Sequence, residues 1–414
     1  MDIKTFYRKG LKRTKKILGR IIPYNTHYKP GDVCSVNLDH PNRNNTRELT
    51  VHKIYPNYET KLNISDDLFH ACSEYWKPKR QVVTNYMVLE VPDGRVYTDN
   101  ESSVAIISRY NRVIENVSLS LVSGKVTQPN LNNIFEQRYF TVPEKYKGTV
   151  FSLLTGGAGI NNIGHWFIDV LPRLHLLRQS GLYDKVDWFL MPSLRYDYQV
   201  ETLELLGIPL SKVIEGDKHP HIAADCIIAS TAPRGNHTLI PEWLCAYIQE
   251  SFLPYAEEEG DIITPEIPYL YISRSDSSIR NVLNEKELLN ALEPYGFKSI
   301  VSSKLSIREK IKLFSRAKVV LGATGAGLIS MFFCKPGTKI IEIFNEGFVV
   351  EPFYDIATKL DLDYEYMICK NRRKVKNAAQ GQREHLFVET DKVLAILENM
   401  EQENQKSTKQ AEVA

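Results

Sequence analysis

From Tyr269 onward the chain repeats one motif, and that repetition limits the fold more than any other feature. Short apolar runs alternate with amphipathic stretches: YLYIS, NEKELLNALEPYG, FKSIV, SIREKIKLFSRA, KVVLG, an apolar stretch after Gly325, TKIIEIF, a helical pattern over 354–360 and YEYMI. Runs of that length read as buried strands, and the stretches between them as helices that carry the chain back over the sheet. A parallel sheet with helices on its faces satisfies the pattern, so a doubly wound, Rossmann-like domain is predicted. A looser version of the same rhythm begins at Val150, with FSLL, a Gly-rich turn, a helix over 164–179, VDWFLM, a helix over 198–206, VIEG and CIIAS. A chain of 414 residues exceeds what one core ordinarily serves, so two α/β halves are expected.

The stretch PYAEEEGDIITPEIP interrupts the rhythm with Pro, Gly and charge, and the domain junction is expected there. The division that follows is a basic segment 1–23, an N-terminal domain 24–254, a C-terminal domain 255–398 and a polar tail 399–414 that frays into solvent. The N-terminal domain opens with an irregular, strand-rich accessory region to about residue 147. In it MVLEV, the turn signal PDG, RVYTDN and SVAIIS read as a hairpin or meander.

The net charge of +2 conceals an asymmetry. Residues 1–20 carry eight Lys or Arg against Asp2, a local +7, which leaves the remainder at 2 − 7 = −5. A mildly acidic body lacks the basic face of a nucleic-acid binder, so no nucleic-acid partner is expected. Ile3, Tyr7, Leu11, Thr14, Leu18 and Ile21 recur at steps of three or four. They form an apolar helical stripe flanked by cations, the pattern of a helix lying flat on an anionic membrane surface. An amphipathic helix packed on the protein's own surface, or an untethered basic arm, is the competing reading. No run of eighteen apolar residues occurs, so no spanning helix is expected. The six cysteines are dispersed, without a CxxC pair or a secretory leader, and read as reduced structural thiols in cytosol.

The segment KVVLGATGAGLISMFFCKPGTKIIEIF runs from an apolar strand through Gly322, Gly325 and Gly327 into an apolar helix. Glycines at such a turn let backbone amides approach a ligand, and a helix start adds partial positive charge. Thr324, Gly325, Ala326 and Gly327 are therefore read as a cradle for a diphosphate. The spacing G-x-x-G-x-G is neither the dinucleotide fingerprint nor the Walker loop, and tight strand–helix packing is the alternative. Arg274 leaves the carboxyl end of YLYIS and Arg280 follows in a polar loop. Ligands of open α/β sheets gather at such ends and guanidiniums suit phosphate, unless the two are ordinary surface arginines. Glu342 is a lone charge in KIIEIF, either accepting from a ribose hydroxyl at an exposed strand end or paired in a buried bridge.

In the first half, TGGAGINNIGHWFIDVLPRLHLLRQ places His165 and Asp169 at i and i+4, on one helical face. His165 could act as general base towards an acceptor hydroxyl, with Asp169 orienting it or taking the proton itself. A capping or surface pair is the plain alternative. Asn161 and Asn162, in the turn before them, are assigned to acceptor binding. His175 and Trp166 read as packing residues. HxxxD lacks further ligands at metal spacing, so no metal is expected.

Taken together and in this order, NIGHWFIDVLPRL, YISRSDSSIRNVLNE and VVLGATGAGLISMFFCKPGTKIIEI resemble the glycosyltransferase family 61 domain, over about residues 150–369. The resemblance implies an inverting transferase of GT-B architecture, two Rossmann-like domains facing a cleft, without an essential metal or other cofactor. It implies a nucleotide site in the C-terminal domain and acceptor contacts from the other. The family's Gly-rich block maps onto Gly325, Ala326 and Gly327, its SR block onto Arg274 and its His block onto His165. Eukaryotic relatives use UDP-linked sugars, but their spanning anchor and paired cysteines are missing here. The expectation shifts to a bacterial enzyme at the cytosolic face of the membrane, building capsule, O-antigen or another surface polysaccharide. Its expected partners are a nucleotide-sugar donor, a glycan or lipid-linked glycan acceptor and the anionic membrane surface met by residues 1–22. The expected reaction is a single displacement in which His165 or Asp169 takes the acceptor proton. Arg274 and the amides of 325–327 would stabilise the departing diphosphate. A non-catalytic nucleotide-sugar-binding regulator or scaffold is the alternative, and the glycine spacing disfavours a dinucleotide oxidoreductase.

Overall fold

The structure is a computed structural model that describes residues 25–36, 49–122, 125–235, 237–257, 267–371 and 373–413. The basic stripe of residues 1–22 lies outside the described residues. The chain forms two compact units, residues 1–58 with 83–236 and residues 59–82 with 237–414.

In the first unit the parallel strands stand in the order His221–Ser230, Glu144–Ser152, Trp188–Met191, Val213–Glu215. Val150, Phe151, Leu190 and Ile227 bury their side chains along them. The ten-residue strand His221–Ser230 pairs on its other side with two antiparallel partners in series, Arg95–Thr98 and Gln81–Pro92. The β-rich region expected as an accessory layer is thus continuous with the sheet of the Rossmann-like part.

The PDG signal does not reverse the chain. Gln81–Pro92 and Arg95–Thr98 line up on the same neighbour, and between them Asp93, at φ 51, and Gly94 form a bulge that bonds to Asp225 and Ala224. The meander lies further on, through Arg95–Thr98, Ser103–Ile107 and Arg112–Ile114.

In the second unit five parallel strands run in the order Lys298–Val301, Tyr269–Ser273, Val319–Ala323, Lys339–Asn345, Asp363–Cys369. The predicted helices are present. That over Ile307–Phe314 starts with a reciprocal cap, in which the Glu309 amide donates to Ser306 Oγ at 3.1 Å and the Ser306 amide to Glu309 Oε2 at 2.7 Å. Leu288, Leu292, Val393 and Leu397 pack with Leu321, Ile341 and Ile343 in one cluster. Leu62, Ile64, Leu68 and Cys72 of the 59–82 segment pack with Phe344 and Val349 in another.

The junction expected near residue 254 falls at 236/237 instead. Helix Glu242–Phe252 belongs to the second unit because it buries Trp243, Leu244, Cys245, Tyr247, Ile248 and Phe252. Phe252 meets Phe333 at 6.0 Å between ring centroids, and the Ile240 amide donates to Asp355 Oδ2 at 2.7 Å. At about 1.5–3 kcal/mol for each large apolar side chain, that burial outweighs the compositional break after the helix. Residues 399–413, read from composition as a fraying tail, continue the helix Thr390–Val413. Cys72, Cys226, Cys245, Cys334 and Cys369 are free thiols, and no helix among the described residues is long and apolar enough to cross a membrane.

Candidate active site

The parallel part of the first sheet changes direction between Glu144–Ser152 and His221–Ser230, and the loops leaving these two strands carry its polar constellation. After the first strand, Asn162 caps the helix Ile163–His165, its Oδ1 accepting from the Gly164 amide at 2.8 Å and the His165 amide at 3.4 Å. The single helix expected over 164–179 is interrupted by a π turn, Trp166–Val170, before Pro172–Gln179. Pro172 cannot donate to the preceding turn, and the wider turn, closed by the Leu171 amide on the Trp166 carbonyl at 3.0 Å, accommodates it. Trp166, read as a packing residue, is fully buried and donates to Thr202 Oγ1 at 2.9 Å.

This geometry brings His165 Nδ1 to 2.7 Å from Asp169 Oδ2. An ionised carboxylate only accepts, so Nδ1 carries the proton and Nε2 is the imidazole nitrogen with a lone pair. The second carboxylate contact comes from the loop after His221–Ser230: Arg234 Nε donates to Asp169 Oδ1 at 2.8 Å and Nη2 to Oδ2 at 2.9 Å. Burial pushes the Asp169 carboxyl up, but the Arg234 guanidinium and the His165 contact outweigh it and hold the group well below the usual carboxylate range. Asp169 is therefore a poor base and a good orienting group. Below it, Arg173 Nε donates to the Asp169 carbonyl at 3.1 Å and Nη1 to the Ser230 carbonyl at 2.9 Å. Gly235 lets the loop approach, since its φ is 57 and a Cβ would stand 2.7 Å from Thr84 Oγ1.

The second sheet changes direction between Tyr269–Ser273 and Val319–Ala323, where Arg274 and the Gly-rich elbow emerge. The two are in contact. Arg274 Nε and Nη2 donate to the Ile279 carbonyl, and Nη2 also to Ser277 Oγ at 3.0 Å. Nη1 lies against Gly325, so close that a Cβ there would collide with the guanidinium. Gly325 is thus required by an arginine packed on it, and Gly327, whose Cβ would stand 3.1 Å from Ile272, by strand–helix packing. Ala326 begins the short 3₁₀ helix Ala326–Phe333.

Arg280 is not a surface arginine. Its side chain is buried, Nε donates to the Thr324 carbonyl at 3.0 Å, and the guanidinium stacks 5.1 Å from the centre of Phe348. Its backbone lies in the left-handed region at φ 53. It ties down the turn at Thr324. Glu342 needs a correction too: it has no exposed surface and sits inside a fully buried strand, away from any solvent-facing strand end, so it does not present itself to a ribose. Nor is it in an ion pair; Tyr364 Oη donates to its Oε2 at 2.6 Å.

Asn161 is exposed, whereas the Asn162 oxygen assigned to the acceptor is engaged in the cap. Arg234 and Arg173 were not singled out in the sequence, although Arg234 stands between Pro and Gly just past a buried apolar strand. Among the described residues no three His, Cys, Asp or Glu side chains are grouped so as to hold a metal ion.

A mixed sheet with a parallel half and a wholly parallel sheet, each with charged side chains clustered where strand order reverses, define a protein of the α/β class. Residues 163–341 match the family model Glycosyltransferase 61, a span that contains His165, Asp169, Arg234, Arg274, Arg280 and the elbow. The chain is a glycosyltransferase. Among solved structures it is similar to the bacterial iron-containing dodecameric glycosyltransferase TibC from enterotoxigenic E. coli H10407. Identity is 12%, the TM-score is 0.26, and the match covers 70% of this chain and 81% of that one. No curated protein matches the chain.

Proposed function

We propose that this enzyme inverts the anomeric centre of a sugar as it passes it from a nucleotide diphosphate, a UDP-sugar first among candidates, to a glycan hydroxyl. The observation that carries this reading is the imidazole held by Asp169, itself gripped by Arg234, inside the matched span. His165 Nε2 takes the proton of the acceptor hydroxyl as that oxygen bonds to the anomeric carbon. The imidazolium that forms faces a carboxylate that stays ionised. The bond to the diphosphate breaks in the same step. Arg274 and the amides at 325–327 receive the charge that develops on the leaving oxygen, which is electrostatic stabilisation matched to the transition state. The displacement uses the chain's own groups. GT-B architecture fits this division of labour, with the donor in the second unit and the base in the first.

The acceptor in this proposal is a glycan or lipid-linked glycan of capsule, O-antigen or another surface polysaccharide. The enzyme would be held at the inner face of a bacterial membrane by the stripe of residues 1–22. A thermal-shift screen of the full chain against UDP-, GDP-, CDP- and ADP-sugars tests the donor, because a bound ligand raises Tm by mass action. NMR of the product anomer from the stabilising donor tests inversion. A retained anomeric configuration refutes the single displacement.

A further inference from the structure

In the first sheet Trp188–Met191 lies between Glu144–Ser152 and Val213–Glu215, all parallel, so the loops leaving the three strands emerge at one edge, the edge that carries His165. Buried polar groups lace these loops together. Gln199 Nε2 donates to the Ile160 carbonyl at 3.1 Å, and its Oε1 accepts from the Tyr196 amide at 3.2 Å. Ser193 Oγ lies within hydrogen-bond distance of both, 3.0 Å from the Ile160 carbonyl and 3.1 Å from Gln199 Oε1. Ser193 and Gln199 have no exposed surface. They hold the segment 193–196 against the turn that carries Asn161 and leads into His165.

The laced segment presents an aromatic ring to solvent. Tyr196 is 45% exposed, and its ring is nearly parallel to that of Tyr198, at 11° and 5.6 Å between centroids. Tyr198 in turn meets Trp166, the residue after His165, edge to face at 6.2 Å. A ring fixed in this way loses little freedom when a ligand settles on it. Beside it stands Arg195, half-exposed, with Nε 2.5 Å from Asp217 Oδ2. The Asp217 side chain is 1% exposed, and its carboxylate has no other partner. An acid buried at that cost serves one arginine, whose terminal nitrogens make no hydrogen bond among the described residues.

We propose that Tyr196 and Arg195 form a saccharide subsite. A pyranose lays the C–H face of its ring on Tyr196, whose electron-rich face attracts polarised C–H bonds, and its hydroxyls accept from the planar guanidinium that Asp217 orients. Its assignment to a sugar unit of the acceptor glycan rests on the reading of His165 as the base. On that reading the subsite is a determinant of acceptor specificity.

Saturation-transfer NMR of the full chain with the methyl glycosides of galactose, glucose, rhamnose and N-acetylglucosamine tests this without donor or turnover. A failed donor screen and a failed subsite are therefore separate results. At least one glycoside should receive saturation on the C–H protons of a single ring face. Tyr196→Ala should weaken its Kd by about tenfold, whereas Tyr196→Phe, which keeps the ring, should match wild type. Arg195→Lys keeps a cation beside Asp217 but not the planar fork, and should also weaken binding. No glycoside bound, binding indifferent to Tyr196→Ala or to Arg195→Lys, or binding lost in Tyr196→Phe would each overturn the proposal.

Discussion

Replacing Arg234 by Met removes the guanidinium from Asp169 while keeping an unbranched apolar stem. The side chains of the pair are 15% and 16% exposed, so the substitution strands a carboxylate that solvent barely reaches. Breaking a fully buried pair costs about 3–5 kcal/mol, and the remaining exposure puts this case near the lower end, at about 3 kcal/mol. At about 2–4 °C per kcal/mol for a domain of this size, Tm should fall by roughly 6–12 °C. The pH dependence has a definite sign. Asp169 titrates well below its ordinary value of 3.8, so the stabilisation is present above that value and is lost only as pH falls through the depressed one. The gap between wild type and variant should therefore be full around neutral pH and narrow towards acid, as the variant's carboxyl takes up its proton first. The variant's Asp169, buried without its counter-charge, titrates at higher pH, so the acid limb of activity should move upward. Calorimetry across pH with turnover measured in parallel checks both. An unchanged Tm and pH profile, or a gap that widens towards acid, would refute the reasoning.

Arg274→Ala should lower turnover by about 10²–10³ through loss of stabilisation of the leaving group, read as kcat at saturating acceptor. Gly325→Ala should reproduce most of that loss with Arg274 intact, because the new Cβ displaces the guanidinium; steady-state kinetics of the two variants and their double mutant should show non-additive effects. Glu342 has the opposite linkage sign from Asp169: its raised carboxyl favours the neutral form in the fold, so its contribution is complete below about pH 4.5 and declines as pH rises through about 7. Glu342→Gln should thus match wild type near pH 4.5 and exceed it by at most about 3 kcal/mol at pH 8, measured by urea unfolding; a variant that is weaker at both would contradict this.

The alternation of apolar runs was legible because a buried parallel strand and an amphipathic helix each leave a period in the sequence, and the predicted strands from FSLL to YEYMI are present. His165 and Asp169 were legible for a local reason, the spacing of one helical turn. Arg234 was not, since it lies 65 residues from Asp169 and only the pairing of His221–Ser230 with Glu144–Ser152 brings the two loops together. Glu342 stood out as a charge in an apolar run, but composition cannot say whether such a charge faces solvent. The polar loop around Arg280 misled in the reverse direction, because a guanidinium can be buried by stacking on Phe348 and binding carbonyls from afar. The junction was misplaced because a Pro- and Gly-rich loop inside a domain has the same composition as a linker.

His165→Asn addresses the central claim, that this imidazole removes the acceptor proton. Sugar transfer and donor affinity are measured side by side on the full chain, with the donor that stabilises the wild type. The account predicts turnover lower by about 10²–10⁴ with the donor Kd unchanged, as expected for loss of a general base. Transfer at the parental rate would contradict it.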